Sequence, residues 1–234
     1  NFNTFLEFKK KILQNRILVG IYDVDPIKKN LGGIYKSSFY FYLYNHNKLE
    51  EYDHFSASCA GIEKKIFKQV NGYDPFFSKG VDFENEELGY RLVKKNKLML
   101  NTKMKVKHRF PNLYKILLLF FTRSSLWMEM FIIRKKFSSA ATSSNTALYL
   151  LLSPIIFICL LLAIFLNYLY FLFFILLSCF HIYNFKDFYL YHYKSSKFIC
   201  FLMFFVSNLA NCFILLGCTM GLIKFYLNIS KIKK

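Results

Sequence analysis

The longest apolar stretches of this sequence lie within roughly its last hundred residues. No Asp, Glu, Lys or Arg occurs between Lys136 and Lys186, and a helix that crosses a bilayer needs about 20 apolar residues. This stretch is long enough for two membrane spans joined by a tight turn at Asn167 and Tyr168, and a second apolar stretch predicts a third span. The predicted spans are residues 147–166, 168–183 and 198–223, and residues 184–197 are the predicted loop between the last two. Helices that are apolar on every side need lipid around them, so the pattern predicts an integral, multi-pass membrane protein.

Shorter helical and strand patterns alternate before this region. Phe5, Phe8 and Ile12 are spaced as on one face of a helix, and the β-branched run at residues 17–21 predicts a buried strand. Further helices are predicted over residues 34–44, 63–70 and 84–93, and a second strand over 99–106. Alternation of helices and strands is typical of α/β domains. The predicted fold class is therefore α/β followed by α-helical transmembrane segments.

Three regions follow from these patterns. Residues 1–110 form the α/β region, residues 111–136 an amphipathic interfacial helical segment, and residues 137–234 the transmembrane region. Five of the six cysteines lie in the apolar segments. They are interpreted as small apolar residues rather than as disulfides or metal ligands.

The charge balance is strongly basic. The chain has 32 Lys and Arg against 14 Asp and Glu, a formal net charge of +18, and the excess is found in both the α/β and the transmembrane regions. Basic residues beside membrane spans favour the cytoplasmic side and its anionic lipids, so we expect membrane lipids as partners and a cytoplasmic α/β region. Nucleic acid is not expected, because the basic residues form no aromatic-interleaved motif and no recognition-helix pattern.

Carboxylates are concentrated at one predicted helix start. Acidic side chains occupy positions 82, 84, 86 and 87, where they could act as a general base or form the solvated, dipole-stabilised start of a helix. Residues 1–110 contain no glycine-rich phosphate loop, no Ser-His-Asp set and no metal-ligand spacing. The residues alone therefore leave both interpretations of the acidic positions open.

Four motifs in a fixed order resemble part of a known enzyme family. They are FSASCAG (residues 55–61), NGYD (71–74), FENEELGYRL (83–92) and VKH (106–108). Their order and spacing resemble the C-terminal half of the catalytic domain of family 2 glycosyltransferases, and most of all the membrane-anchored members. Those members continue into a segment with an Arg and a Trp, here Arg123 and Trp127, and then into several spans. The resemblance implies a partial GT-A fold, the nucleotide-diphospho-sugar transferase type.

The metal site implied by this resemblance is incomplete in the sequence. In the family, an Asp-x-Asp motif in the N-terminal half of the domain holds a divalent cation, Mg or Mn, and the donor diphosphate. This chain is expected to start after that motif, as a C-terminal portion. Asp23 and Asp25 have the right spacing but stand where relatives have a Gly-Ile-Tyr-Asp loop. With His108, at the exit of the second predicted strand, they are the candidate metal ligands.

The catalytic base implied by the resemblance is altered here. The family has a Glu-Asp pair before a Leu-Gly-x-Arg-Leu helix, and its Asp deprotonates the acceptor hydroxyl. The matching pair is Glu84-Asn85, and an amide cannot take up a proton near neutral pH. Either Glu84 or Glu86 replaces Asn85 as the base, or the chain is catalytically weak. The candidate substrate-binding residues are Cys59, Gly61, Asp82, Glu87, Arg91, Arg123 and Trp127.

Arg123 and Trp127 lie four residues apart, and therefore on one face of a helix. A guanidinium can donate two parallel hydrogen bonds to a diphosphate, while the indole can stack on a sugar. The alternative is that Trp127 anchors an interfacial helix and that Arg123 extends to the headgroup layer.

Together these features predict a membrane-bound glycosyltransferase that transfers a sugar from a nucleotide-sugar donor to a lipid-linked or polysaccharide acceptor, with inversion. One alternative is a non-catalytic, membrane-anchored scaffold derived from the same fold. The other is a small transporter or channel subunit, which would need ionisable residues within its spans. Only His181 and the amides Asn167, Asn208 and Asn211 approach that requirement.

Overall fold

The computed structural model describes residues 2–47, 51–75, 83–137 and 144–227. Contacts divide the chain into two compact units. The first contains Asn1–Leu113 and Lys136–Ala141, and the second contains Tyr114–Lys135 and Thr142–Lys234. The described residues are mostly helical and form one small mixed sheet, which lies in the first unit.

The first unit alternates helices and strands, as the sequence predicts. Its elements are α1 (Phe2–Asn15), β1 (Ile17–Tyr22), α2 (Leu31–Asn47), β2 (Glu51–Tyr52), a 3₁₀ turn (Ala57–Cys59), β3 (Ala60–Ile62), α3 (Lys64–Gln69), α4 (Glu84–Leu92) and β4 (Leu98–Val106). The four predicted helices and both predicted strands of this unit are confirmed. The short strands β2 and β3 have no counterpart in the sequence prediction.

The sheet has the strand order β2-β4-β1-β3. Strands β1 and β4 run parallel, with Leu18 opposite Met99 and Tyr22 opposite Val106, and β3 and β2 lie antiparallel at the two edges. A strand covered on both faces is expected to be apolar throughout, which explains the uninterrupted ILVGI run of β1. An α/β arrangement is therefore present, while the GT-A fold remains a prediction.

The two faces of β1 belong to different cores. Ile17, Val19 and Ile21 pack on one face with Leu88 and Leu92 of α4. On the other face, Leu18 packs with Cys59 and Met104, and α1 contributes partly buried apolar side chains. The sheet therefore separates the helix that carries the acidic residues from the layer that contains Cys59.

The second unit is entirely helical in its described part. It contains α5 (Leu113–Arg134, whose first residue belongs to the first unit), α6 (Ser144–Phe165), α7 (Leu169–Asn184), α8 (Lys186–Ser195) and α9 (Lys197–Tyr226). Among the described residues, three helices are long and apolar enough to cross a membrane: Leu113–Arg134, Thr146–Phe165 and Lys197–Tyr226. Helix α5, predicted as an interfacial segment, is thus also a candidate span.

The region between the second and third predicted spans differs from the prediction. The turn at Asn167 is confirmed, and its side-chain oxygen accepts a hydrogen bond from Leu169 N–H at 2.9 Å. Helix α7 then has only 16 residues and bends by 93° into α8. Together α7 and α8 could count as one bent span. The prediction of a loop over residues 184–197 is therefore wrong, because α8 occupies most of it.

Two glycines allow α9 to pack closely on α5. A Cβ atom at Gly217 would lie less than 3.0 Å from the Phe121 carbonyl oxygen, and one at Gly221 would meet the Ser125 carbonyl oxygen in the same way. Small residues four apart let the backbones of membrane helices approach each other. The Gly217–Gly221 pair is therefore a packing site between these two helices.

Candidate functional site

The acidic residues predicted as a catalytic group occupy the first turn of α4. Glu84, Glu86 and Glu87 lie in this turn, where the helix dipole favours negative charge. Leu88 and Leu92 anchor the opposite side of the helix in the core. The first turn of α4, residues 84–87, is called the acidic turn below. Asp82, a predicted substrate-binding residue, lies outside the described residues.

Glu87 and Arg91 form a bidentate ion pair within α4. Arg91 Nε donates to Glu87 Oε1 at 2.5 Å, and Nη2 donates to Oε2 at 2.6 Å. The same guanidinium donates to the carbonyl oxygens of Val70 and Gly72, next to a turn in which Asn71 and Gly72 both have left-handed backbones. Arg91 thus fixes the turn to the helix, and its predicted contact with substrate stays a prediction.

Asn85 links the same two motifs through a side-chain hydrogen bond. The Tyr73 hydroxyl donates to Asn85 Oδ1 at 3.2 Å, and Asn85 Nδ2 donates to Glu84 Oε1 at 3.4 Å. Burial, reinforced by Glu84, raises the pKa of Tyr73, which keeps its hydroxyl protonated as a donor. Tyr73 belongs to the NGYD motif, but no role was predicted for its side chain from the sequence.

Glu84 and Glu86 are the other two carboxylates of the acidic turn. Glu84 is half-buried, whereas Glu86 is buried, and one oxygen of Glu86 lies 3.9 Å from Nδ1 of His54. Helix α4 reaches this segment closely because Gly89 leaves no room for a side chain against the backbone of residues 53–55. His54 is thus a further residue beside the acidic turn. No sequence pattern indicates this, because His54 precedes Glu86 by about 30 residues.

A second group of predicted residues lies where β1 and β4 end. Asp23 follows β1, and its N–H donates to the Val106 carbonyl at 2.9 Å. Asp25 N–H donates to an Asp23 carboxylate oxygen at 3.2 Å. Because parallel strands end at one edge of a sheet, Asp23, Asp25 and His108 share that edge, and they are called the strand-end group below.

His108 is held by aromatic rings. Its ring centroid lies 5.3 Å from that of Tyr22 and 4.6 Å from that of Phe110. Burial, and then the charge of Lys36, lowers the pKa of His108, so its imidazole is neutral near pH 7. Within the described part of the chain, buried Nδ1 has no hydrogen-bond partner.

These residues do not assemble a complete metal site. In the described residues, no group of three or more His, Cys, Asp or Glu side chains is arranged to hold a metal ion. A neutral imidazole and carboxylates are suitable ligand types, but the strand-end group does not bring them together. The divalent cation therefore stays a prediction.

Cys59 and Gly61 lie away from the acidic turn. Cys59 is buried with Leu18 and Met104, and burial raises the pKa of its thiol. Gly61 pairs with Leu18 across the sheet, and a side chain there would collide with the Phe8 ring. Both positions are explained by packing between the sheet and α1, and their predicted contact with substrate has no supporting geometry.

Arg123 and Trp127 lie on α5 in the second unit. Both side chains are half-buried, and the Trp127 ring stacks on Phe131, one turn further on, at 5.2 Å between centroids. The helical spacing predicted for the Arg-Trp pair is therefore present. Their role toward a diphosphate or sugar remains a prediction.

Polar side chains are also buried between the helices of the second unit. His181 Nε2 and the Tyr189 hydroxyl are 2.9 Å apart, and the hydroxyls of Tyr189 and Ser207 are 2.8 Å apart. His181, Tyr189 and Ser207 are called the His181 cluster below. Nearby in sequence, Asn208 is fully buried and Asn211 donates to the Ser153 hydroxyl at 2.9 Å. By contrast, Asn167 lies in an exposed turn.

The resemblance to glycosyltransferases has no independent match. Comparison of this chain with protein-family models, with curated proteins and with solved structures finds no match in any of the three.

Proposed function

We propose that this chain is a membrane-anchored glycosyltransferase, or a portion of one, that moves a sugar from a nucleotide-sugar donor to a lipid-linked or polysaccharide acceptor. The observation that best supports the proposal is the contact between two motifs of the family pattern. Arg91 binds the carbonyl of Gly72, and Tyr73 binds Asn85, so the NGYD turn and the acidic turn form one structure. Such a structure is suited to hold carboxylates in a fixed position for proton transfer.

The proposed reaction uses one of two carboxylates. Glu84 or Glu86 accepts the proton of the acceptor hydroxyl while the hydroxyl oxygen forms a bond to the anomeric carbon. The bond between that carbon and the nucleoside diphosphate breaks, and the diphosphate leaves with the bonding electrons. Attack opposite the leaving group inverts the anomeric configuration. Asn85 can orient Glu84 or the acceptor through hydrogen bonds, but it cannot take the proton.

The proposed location is the membrane, with the first unit on the cytoplasmic side. Support comes from the three helices that are long and apolar enough to cross a bilayer and from the net charge of +18, since basic residues beside spans favour the cytoplasmic side. A lipid-linked acceptor would then be present in the same membrane as the enzyme.

The first experiment measures sugar transfer by the detergent-purified chain. A panel of nucleotide sugars is offered with a membrane lipid extract and Mg²⁺ or Mn²⁺, and wild type is compared with Glu84→Gln and Glu86→Gln. We expect one of these variants to lose about a hundredfold or more in rate, as removal of a general base does. Glu51→Gln is the control, because Glu51 is exposed at an edge strand and pairs only with Lys97 among the described residues. Equal rates in all variants would contradict the assignment of the base.

Asn85 favours a second candidate, the non-catalytic scaffold. The Asn85→Asp variant distinguishes the enzyme from the scaffold. It places a carboxylate where the family has one, and the shape of the side chain stays the same. A glycosyltransferase should keep or gain transfer activity on this change. If neither wild type nor Asn85→Asp transfers sugar or binds a nucleotide, the scaffold replaces the enzyme as the conclusion.

A further inference from the structure

Two loops leave the same edge of the sheet and are bonded to each other. One follows β1 and the other follows β4, and the N–H of Ile27 donates to the carbonyl of His108 at 3.1 Å. Because β1 and β4 are parallel, both loops start from one edge. Their side chains therefore form a single surface, although they are about 80 residues apart in sequence.

This surface combines exposed cations with an exposed apolar side chain. Its members are Ile27, Lys28, Lys29, Lys107 and Arg109, all exposed, and they are called the basic edge below. Ile27 is 63% exposed and lies in the loop that follows β1, next to Lys28 and Lys29. In the part of the chain that the structure describes, these four cations form no salt bridge. Asp23 and Asp25 of the first loop offset the positive charge only in part.

The chain itself places this surface beside a candidate membrane span. Arg109 precedes Leu113, the first residue of α5, by four residues, and four residues reach at most about 14 Å. Helix α5 is long and apolar enough to cross a bilayer. The basic edge therefore lies close to the residue at which α5 begins. The distance is roughly the thickness of the headgroup layer plus one Debye length, so its charges can act on lipid headgroups.

We propose that the basic edge docks on anionic phospholipid headgroups, with Ile27 entering the interfacial layer. Lysine and arginine side chains next to a membrane segment are attracted to anionic lipid, and one apolar side chain among them adds interfacial burial. This inference rests on the membrane anchoring proposed above and not on sugar transfer. Docking would turn the strand-end group toward the boundary between lipid and water.

The test measures how fast lysines react with a water-soluble amine-reactive reagent. The full chain is reconstituted in nanodiscs of phosphatidylcholine alone, or with roughly a third phosphatidylserine, and each lysine is quantified by mass spectrometry. We expect Lys28, Lys29 and Lys107 to react about threefold or more slowly in the anionic nanodiscs, because lipid phosphates cover them. About 0.5 M NaCl should restore the rates, since the Debye length there is only about 4 Å.

Lys64 and Lys65 serve as internal controls. Both are exposed. They follow β3, whose Ile62 pairs with the first residue of β1, so they lie near the start of β1, whereas the basic edge lies near its end. Their rates should be the same in both lipid compositions. The Lys28→Gln, Lys29→Gln double variant should release Lys107 from protection, whereas the Lys64→Gln, Lys65→Gln double variant should leave Lys107 protected.

Three results would overturn the inference for different reasons. Equal rates in both compositions would show that the basic edge does not meet lipid. Slowing by added pyrophosphate in phosphatidylcholine nanodiscs, to the same degree as by anionic lipid, would make a soluble diphosphate the occupant. Failure of the chain to enter nanodiscs at all would instead contradict the membrane anchoring. It would not bear on sugar transfer, which the activity measurement tests.

Discussion

The acidic side chains of the α4 turn differ in what they contact. Glu87 is bound by both nitrogens of the Arg91 fork, whereas Glu84 contacts the Asn85 amide and Glu86 lies near His54. A bidentate guanidinium occupies both oxygens of the carboxylate that it binds. At the scale of single residues, Glu87 therefore has a structural contact with Arg91, and the proposed reaction depends on Glu84 or Glu86.

Replacing Arg91 should weaken the attachment of the NGYD turn. We expect Arg91→Lys to lower the free energy of unfolding around α4 by about 2 kcal/mol, because an ammonium cannot reproduce the bidentate pair and the two carbonyl contacts together. Hydrogen exchange of α4 amides, measured by mass spectrometry on the purified chain, reports this change.

Lys94→Gln is the control for that measurement. Lys94 is exposed just beyond the end of α4, so its replacement should change stability by less than about 0.5 kcal/mol. If the α4 amides of the Arg91→Lys variant exchanged at the wild-type rate, the hydrogen bonds from Arg91 to Val70 and Gly72 would contribute nothing to the stability of the turn.

The sequence predicted where Arg91 lies but not what it binds. Helical spacing and the favourable end of the dipole placed it near the end of a helix. Its partners Val70 and Gly72 are about 20 residues away in sequence, and only the tertiary fold brings them together. Cys59 is a similar case: the motif suggested substrate contact, whereas packing across β1 explains its burial.

Among the elements, the bend between α7 and α8 departs most from expectation. Residues 184–197 contain several lysines and an Asp, which favoured a loop. Yet Phe188, Tyr189 and His192 are buried on one side of a helix, and this spacing is helical. The prediction followed the polar composition and not the helical spacing. The helices that cover the buried side, α7 and α9, are brought there only by the fold.

The His181 cluster joins the two sides of this bend. His181 belongs to α7, Tyr189 to α8 and Ser207 to α9, and all three are buried. A hydrogen bond between membrane helices contributes about 1 kcal/mol on average. The cluster is therefore one of the contacts that fix the angle between α7 and α8.

Removing one hydroxyl tests this contribution. We expect Tyr189→Phe to lower the free energy of unfolding by about 1 kcal/mol and to lower the thermal midpoint by a few degrees in detergent. Tyr193→Phe is the matched control, because Tyr193 is in the same helix and is 54% exposed. Equal midpoints for Tyr189→Phe and wild type would show that the hydroxyl contributes no net stability.

Taken as a whole, the molecule presents two kinds of surface. The first unit carries many exposed lysines, whereas α6 exposes large apolar side chains such as Ile158 and Leu161, each more than half exposed. Apolar side chains exposed in such numbers are typical of a surface covered by lipid. The predicted spans at 147–166 and 198–223 are confirmed as helices, since periodicity and length were sufficient evidence for them.

Charges on the apolar surface of α6 should prevent stable insertion. We expect the Ile158→Lys, Leu161→Lys double variant to be released from membranes by alkaline carbonate, while the wild-type chain stays in the pellet. Each lysine near the centre of a span costs about 2.5–3.5 kcal/mol. Phe5→Lys is the control, because Phe5 is exposed on α1 of the first unit. Retention of the double variant would show that membrane insertion does not depend on α6, since α5 and α9 are also long and apolar enough to cross a bilayer.

The fold class was predictable at this scale, but the sheet was not. Alternating patterns placed β1 and β4 correctly, because each is a long apolar or alternating run. Strands β2 and β3 have two and three residues, too few for any periodicity to emerge. They exist because they pair with β4 and β1, and that pairing depends on the whole first unit.

The parallel pairing of β1 with β4 has a consequence for synthesis of the chain on the ribosome. Leu18 can pair with Met99 only after Met99 has been synthesised, about 80 residues later. At a synthesis rate of about 5–20 residues per second, the delay is several seconds. During that time the most apolar strand of the first unit has no parallel neighbour, and contacts between such distant residues form slowly. Synthesis has then reached α5, so the sheet closes only when the ribosome has arrived at a helix that is long and apolar enough to cross a bilayer.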